Sequence, residues 1–151
     1  MYGLLHPSAG YAAARAGDRD RANDLLAEAA TTATRLDADP ALTANVISHK
    51  VSAAYVLGDA GTALAHAQSL PLAAIPTTER RARLLVDTAQ AWARFDKPDR
   101  AYRTLLAAER AAPGEVRTRN AVRRLVGDLM ACPKQAIMPG LPAFAHRVHA
   151  A

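Results

Sequence analysis

The chain repeats one phrase three times: A-R-A-G-D-R-D-R-A at 14–22, Y-V-L-G-D-A-G-T-A at 55–63 and A-R-F-D-K-P-D-R-A at 93–101. Each copy reads as a tight turn that ends in an alanine and lies between two segments with helical apolar spacing. Ala22 and Ala63 are 41 residues apart, and Ala63 and Ala101 are 38 residues apart. A repeat of that length is typical of a helical hairpin that buries its apolar face against the next hairpin. The spacing therefore predicts an all-α helical array.

Composition agrees with closely packed helices. Alanine supplies 37 of the 151 residues, and aromatic residues make up only 5%. The length predicts a single domain over 1–151. No apolar run approaches the roughly 18 residues of a membrane span, so no membrane partner is expected. A lone Cys132 and the lack of a secretory leader predict a protein of the reducing cytoplasm.

Apolar periodicity and breaker residues predict the helices one by one. The first begins with Pro7 in its opening turn and ends near Ala16, because proline is tolerated where its missing N–H is unpaired anyway. Two prolines predict an extended link at 71–76. The other predicted helices cover about 20–36, 41–57, 61–69, 78–95, 98–112, 115–131 and 143–149.

Charge is uneven along the chain. Residues 1–76 hold five basic and seven acidic groups, whereas residues 77–151 hold fourteen basic and seven acidic groups. A basic half can attract nucleic acid, anionic lipid or an acidic protein. The alternative, which we favour, is a solvated arginine face, because Arg117, Arg119, Arg123 and Arg124 have no interleaved aromatic residues for base stacking. No direct nucleic-acid contact is expected without a helix-turn-helix domain.

Catalysis and metal binding are not predicted. His146 and His149 are the one histidine pair spaced for two ligands on a helix face, and no cysteine or nearby carboxylate completes a site. Lys134 beside Cys132 could lower the pKa of the thiol, yet no histidine is placed by sequence to act as its base. The chain has no phosphate-binding glycine loop and no serine elbow. We expect no enzyme, no cofactor and no metal.

The second helix of each repeat resembles that of the tetratricopeptide repeat, in which small residues let paired helices approach closely. The resemblance implies a right-handed superhelix of three degenerate helical hairpins, at about 4–40, 41–76 and 77–113, with a C-terminal capping helix within 114–151. His6, Lys50 and Thr88 depart from the pattern, at or near positions where large apolar residues are usual. The residues that match are Ala22, Leu26 and Ala29; Ala63, Ala67 and Leu70; Ala101, Leu105 and Ala108; and the terminal Pro113.

Three longer segments resemble the C-terminal repeat region of actinomycete Cro-like helix-turn-helix transcriptional regulators. They begin at Ser8, Glu79 and Ala112 and read S-A-G-Y-A-A-A-R-A-G-D-R-D-R-A, E-R-R-A-R-L-L-V-D-T-A-Q-A-W-A-R-F and A-P-G-E-V-R-T-R-N-A-V-R-R-L-V-G-D-L. The resemblance implies a peptide- or protein-binding module, the sensing or oligomerising half of a regulator. In that family a DNA-binding domain precedes the repeats, but only eleven residues stand ahead of Ala12 here, and we expect no such domain in them. The alternative is a stand-alone homodimerising scaffold, for which the terminal apolar residues are the candidates: Leu125, Leu129, Ile137 and Leu141.

In the tetratricopeptide family the first helix of each repeat lines a concave groove, which implies a ligand site here. Amide groups can read a peptide backbone, and a guanidinium can clamp a carboxylate. The alternative is an exposed polar helix face with no ligand. With Gly17, Gly58 and Asp96 set equivalent, the candidate groove residues are Tyr11, Asn45, Ser48, Ser52, Tyr55, Arg83, Gln90 and Arg94.

Overall fold

A computed structural model describes the backbone of residues 2–35 and 39–150 and the side chains from Pro7 onward in those ranges. Every regular element in this part of the chain is helical. Short 3-10 turns cover Leu72–Ala74 and Gln135–Ile137. The α-helices are α1 Tyr2–Arg15, α2 Arg19–Arg35, α3 Pro40–Val56, α4 Ala60–Gln68, α5 Thr78–Arg94, α6 Pro98–Ala111, α7 Pro113–Thr118, α8 Asn120–Ala131 and α9 Leu141–Arg147.

The chain divides into two compact units, Met1–Pro76 and Thr77–Ala151. The first two predicted repeats fall in the first unit, and the third repeat and the predicted cap fall in the second. The division coincides with the change of charge along the sequence, so the first unit has an acidic excess and the second a basic excess. A single domain over the whole length stays a prediction.

The three repeated phrases fold into the same turn. Gly17, Gly58 and Asp96 occupy equivalent positions and all have positive φ, at 81°, 83° and 54°. In each turn the next residue donates its N–H to a carbonyl five residues back, as in the Schellman ending of a helix. The register that equates Gly17, Gly58 and Asp96 is therefore confirmed.

The alanine that ends each phrase lies at a tightly packed point of the next helix. Ala22, Ala63 and Ala101 are all fully buried. Because a methyl group is small, the paired helices can come close there, and the pairs α1–α2, α3–α4 and α5–α6 are each in contact. Three helical hairpins follow from this, as the repeat spacing predicts.

Within the first unit, α3 is the central helix, in contact with α1, α2 and α4. Val51, Ala53 and Ala54 are among its buried side chains. In the second unit one apolar core joins α5 and α6 to the C-terminal helices, with Leu105, Val122 and Phe144 all fully buried. The C-terminal helices thus cover the apolar side of the last hairpin within this unit.

Most predicted helices agree with the structure to within one or two residues, but three details were wrong. α1 begins at Tyr2, so Pro7 lies inside this helix and not in its first turn. The link at 71–76 is not wholly extended, because Leu72–Ala74 forms a 3-10 turn and Ile75 is buried. The helix predicted at 115–131 is interrupted at Arg119, whose backbone is extended, and becomes α7 and α8.

Two predicted points fall on residues that are not described: Leu36, the last residue of the second predicted helix, and the side chain of His6. Asp39 lies between the predicted helices at about 20–36 and 41–57, and its carboxylate caps α3 by accepting from the N–H of Ala41. In the described ranges, no helix combines the length and the apolar character that crossing a membrane requires.

Candidate functional site

A cleft of about 330 Å³ opens in the first unit between α2, α3 and α4. Its apolar lining includes Leu26 from α2 together with Ala53, Ala54 and the adjoining Leu57. Polar and charged side chains surround this lining: Arg19, Asn23, Lys50, Asp59, Thr62 and His66. The volume is at the small end of ligand cavities, which run from about 300 to 1,000 Å³.

Arg19 is held at the cleft by a bond to the end of the neighbouring helix. Its Nη2 donates to the carbonyl oxygen of Leu57 at 2.9 Å. That carbonyl belongs to the last turn of α3, where the helix dipole is negative and a cation is favoured. The guanidinium therefore has a defined position beside the cleft.

Asp59 is the N-cap residue of α4. Its Oδ1 accepts from the N–H of Thr62 at 3.0 Å, and its Oδ2 accepts from the Thr62 hydroxyl at 2.8 Å. These two bonds, the backbone one first, hold the pKa of the Asp59 carboxyl below its ordinary value, with a smaller contribution from Arg19. Asp59 is consequently ionised at neutral pH.

His66 on α4 and Lys50 on α3 lie on the same cleft. Partial burial lowers the pKa of the His66 imidazole, and the positive charge of Lys50 lowers it further. His66 is therefore neutral at pH 7, when Arg19 and Lys50 are charged. Arg19 and Lys50 are positive and Asp59 is negative, so the lining of the cleft has a net charge of one positive unit.

The predicted groove residues of the first unit lie on another face. Asn45, Ser48, Ser52 and Tyr55 form one stripe along α3, whereas Lys50 is two residues from both Ser48 and Ser52 and so about 200° around the helix. The stripe and the cleft therefore occupy opposite faces of α3. Tyr11 is half-buried on α1, which contacts α3.

Two serines of this stripe are bonded within their own helix. The Ser48 hydroxyl donates to the carbonyl of Ala44 at 2.9 Å, and the Ser52 hydroxyl donates to the carbonyl of Ser48 at 3.2 Å. Ser52 is also only 9% exposed. Asn45 and Tyr55, both half-buried, are therefore better placed than Ser52 to meet a ligand.

In the second unit the predicted residues share a stripe of α5. Arg83, Gln90 and Arg94 follow one another at helical spacing, with both arginines exposed and Gln90 half-buried. Asp87, which the sequence reading left out, lies on the same stripe four residues after Arg83. A ligand carboxylate bound at these arginines would therefore also be repelled by the Asp87 carboxylate.

The arginines of the nucleic-acid alternative are mostly engaged inside the second unit. Arg117 donates to Glu109, Arg119 pairs with Glu115, and Arg123 donates to the carbonyl of Val148 at 3.1 Å. Arg124 is exposed. Because three of the four guanidinium groups have intramolecular partners, the structure favours a stabilising role for them.

Glu109 is the centre of the largest of these ionic contacts. It is only 8% exposed and accepts two bonds from Arg147 of α9, at 2.9 and 2.8 Å, and one from Arg117 at 3.0 Å. The bonds from Arg147 hold the pKa of the Glu109 carboxyl below its ordinary value. The cluster ties α6 to α7 and α9.

The apolar residues suggested for a homodimer are mostly core residues. Leu125, Leu129 and Leu141 are buried within their own unit, so a second copy cannot reach them. Ile137 is different, because 52% of it is exposed. Those three leucines were the wrong choice for an interface.

The residues singled out for metal or thiol chemistry do not form a cluster. His146 and His149 are exposed, and Cys132 is half-buried. In residues 2–35 and 39–150, no three histidine, cysteine, aspartate or glutamate side chains come together as metal ligands would.

Sequence reasoning did not find the cleft. Its polar and charged residues are spread from Arg19 to His66 and follow no motif, because three helices bring them together. One signal was present: Lys50 stands where the repeat pattern has an apolar residue, and an unexplained cation in such a place indicates a polar site.

Comparison of the chain with protein-family models, with curated proteins and with solved structures finds no match.

Proposed function

We propose that the chain is a tetratricopeptide-like module that binds a peptide or a protein segment along the first helices of its hairpins. The observation that supports this most strongly is the threefold turn, with positive φ at Gly17, Gly58 and Asp96 and a fully buried alanine five residues later. Because the three hairpins share the same turn and the same close helix contact, they have similar shapes and can stack one after another. A right-handed superhelix of three hairpins with a C-terminal cap is part of the proposal.

The proposed ligand is an extended peptide. Asn45 and Tyr55 on α3, and Gln90 on α5, are half-buried groups with hydrogen-bonding capacity. Such groups suit the alternating N–H and C=O of a peptide backbone. Arg83 and Arg94 are exposed and can attract an acidic side chain of the peptide. The negative charge of Asp87, on the same stripe, weakens this attraction.

The proposed setting is transcriptional regulation. The segments at 8–22, 79–95 and 112–129 resemble the repeat region of Cro-like regulators, and this resemblance supports a sensing role. The DNA upstream of Met1 tests it. A helix-turn-helix domain in the same reading frame is the expected result, and an in-frame stop codon directly before Met1 would contradict it.

A displayed library of random peptides, selected on the purified chain, tests the binding proposal. The double variant Asn45→Ala with Arg94→Ala is expected to weaken a selected peptide about tenfold or more, because both groups lie on first helices. The matched control, Gln68→Ala with Arg103→Ala, removes an exposed amide and an exposed guanidinium from second helices, outside the cleft, and should leave affinity unchanged. Retained affinity in the first pair, or loss in the control, would show that the groove is misplaced.

One observation favours homodimerisation as a second candidate function. Phe95 and Ile137 are 53% and 52% exposed, and the 2.9 Å pair between Asp96 and Lys134 joins the segments that hold them. Exposed apolar side chains that form a continuous patch are typical of contact surfaces. Sedimentation at two concentrations should show a dimer that Phe95→Ser weakens; a monomer at both concentrations would exclude this candidate.

A further inference from the structure

The cleft between α2, α3 and α4 combines an apolar lining with an unbalanced positive charge. Leu26, Ala53, Ala54 and Leu57 form the apolar part, and Arg19 and Lys50 approach it from α2 and α3. A group that enters this cleft loses water on its apolar side and meets cations at the rim. Such a cleft favours an amphipathic anion.

The charges specify how many negative charges the ligand should have. Both oxygens of Asp59 already accept bonds from Thr62, at 3.0 and 2.8 Å, so this carboxylate is occupied with the α4 cap. His66 is held neutral by its burial and by Lys50. Two cations and one carboxylate therefore leave one positive charge, which matches a monoanion better than a dianion.

Arg19 is suited to bind a carboxylate. Its contact with the Leu57 carbonyl, at 2.9 Å, uses one N–H and holds the guanidinium beside the cleft. A guanidinium has five N–H donors in a fork that matches the two oxygens of a carboxylate. Lys50 supplies the second charge from the neighbouring helix.

We propose that the cleft formed by Arg19, Lys50, His66 and the apolar side chains of α2 and α3 binds a monocarboxylate with a short apolar body. The site lies on the face of α3 opposite the stripe that we propose for peptide binding, so each can fail without the other. Two kinds of ligand carry such a group. One is a small free acid, and the other is the C-terminal residue of a peptide when its side chain is apolar.

Titration of the full chain with hexanoate, followed by the NMR signals of His66 and Thr62, tests the proposal. The expected result is a saturable shift with a dissociation constant of about 1–10 mM, because the ligand is small. Hexanamide, which lacks the charge, and acetate, which lacks the apolar body, should bind far more weakly. N-acetyl-alanyl-leucine with a free carboxylate distinguishes the two kinds of ligand: tighter binding than hexanoate indicates a peptide end, and weaker binding a free acid.

Lys50→Met and Arg19→Gln should each weaken hexanoate about tenfold. Lys50→Met replaces the ammonium by an apolar side chain of similar length, and burial, the larger cause, still lowers the pKa of His66 in this variant. Thermal melts show whether Arg19→Gln, which also loses the bond to Leu57, is still folded. Arg21→Gln, an exposed arginine of α2 outside the cleft, is the matched control and should bind as the parent chain does. Absence of a saturable shift, equal binding of hexanamide, or unchanged affinity in Lys50→Met would each overturn the proposal.

Discussion

Gly10 lies where α1 packs tightly against α2. A Cβ added to it would stand 2.7 Å from Cγ of Leu26 and 3.3 Å from the carbonyl oxygen of Ala22. Gly127, inside α8, has open space at the corresponding position. The same substitution should therefore have opposite effects at the two glycines.

Gly10→Ala is expected to lower the free energy of unfolding by about 1–3 kcal/mol, because the added methyl group overpacks the α1–α2 contact. Gly127→Ala should raise it by about 0.5–1 kcal/mol, because alanine restricts the unfolded chain and favours the helix. Urea denaturation measures both. A neutral or stabilising Gly10→Ala would show that α1 is not held against Leu26.

Glu109 should be the most consequential carboxylate of the second unit. Glu109→Gln leaves Arg147 and Arg117 without their charged partner, and we expect a loss of about 2–3 kcal/mol at pH 7. The matched control is Glu115→Gln, which breaks a more exposed pair with Arg119 and should cost less than about 1 kcal/mol. Chemical denaturation of both variants measures the difference, and equal losses would contradict the role given to Glu109.

The same carboxylate predicts a pH dependence. The Glu109 pKa is lower in the folded chain than its ordinary value of 4.5. The contribution of Glu109 to the free energy of unfolding is therefore fully present above pH 4.5. It is lost as the pH falls through the lower pKa of the folded chain. Stability measured against pH should fall less steeply in acid for Glu109→Gln than for the parent chain; parallel curves would contradict this.

At the scale of the elements, the third turn is the weakest of the three. Asp18 and Asp59 each accept from the N–H three residues later, whereas Lys97 at the equivalent position provides no side-chain cap. A lysine at a helix N-terminus also opposes the dipole of α6. The chain already combines an aspartate cap with a following proline at Asp39, so this arrangement is sterically allowed.

Lys97→Asp is therefore expected to raise the free energy of unfolding by about 1 kcal/mol, from the cap and the charge together. Lys97→Ala removes the charge without adding a cap and should give the smaller gain. Thermal melts of the two variants separate the contributions. If Lys97→Asp is no more stable than Lys97→Ala, the third turn is not equivalent to the others.

The sequence predicts the ends of a helix well where neighbouring residues determine them. The turn at Gly58 and the cap at Thr77 act within a few residues, and the helices beside them begin and end as expected. The interruption at Arg119 has no glycine or proline to announce it. Residues on either side of it make contacts outside their own helices, Arg117 with Glu109 of α6 and Arg123 with Val148 after α9, and a single helix pattern cannot show such contacts.

At the scale of the whole molecule, the second unit should fold without the first. Its core, which includes Leu105, Val126 and Phe144, is built only from residues beyond Pro76. A fragment of 77–151 is expected to be helical and to unfold cooperatively, with a modest stability of about 3–5 kcal/mol for its size. Circular dichroism during thermal unfolding measures this. A fragment with no cooperative transition would support the single domain that the length predicts.

The two candidate sites differ in how far the sequence reveals them. The groove residues follow from the register of the turns, so counting from Gly17, Gly58 and Asp96 was enough to name them. The same count also places Asp87 on the stripe of α5, but it cannot show that Ser52 is buried. The cleft depends on packing between α2, α3 and α4, which no motif encodes.

Amide hydrogen exchange of the full chain, with and without a library-selected peptide, tests most directly whether this is a repeat module that binds along its first helices. We predict slower exchange in α1, α3 and α5, where Tyr11, Asn45, Tyr55 and Gln90 lie, and little change in α2, α4 and α6. Slowing confined to α2, α4 and α6 would contradict it.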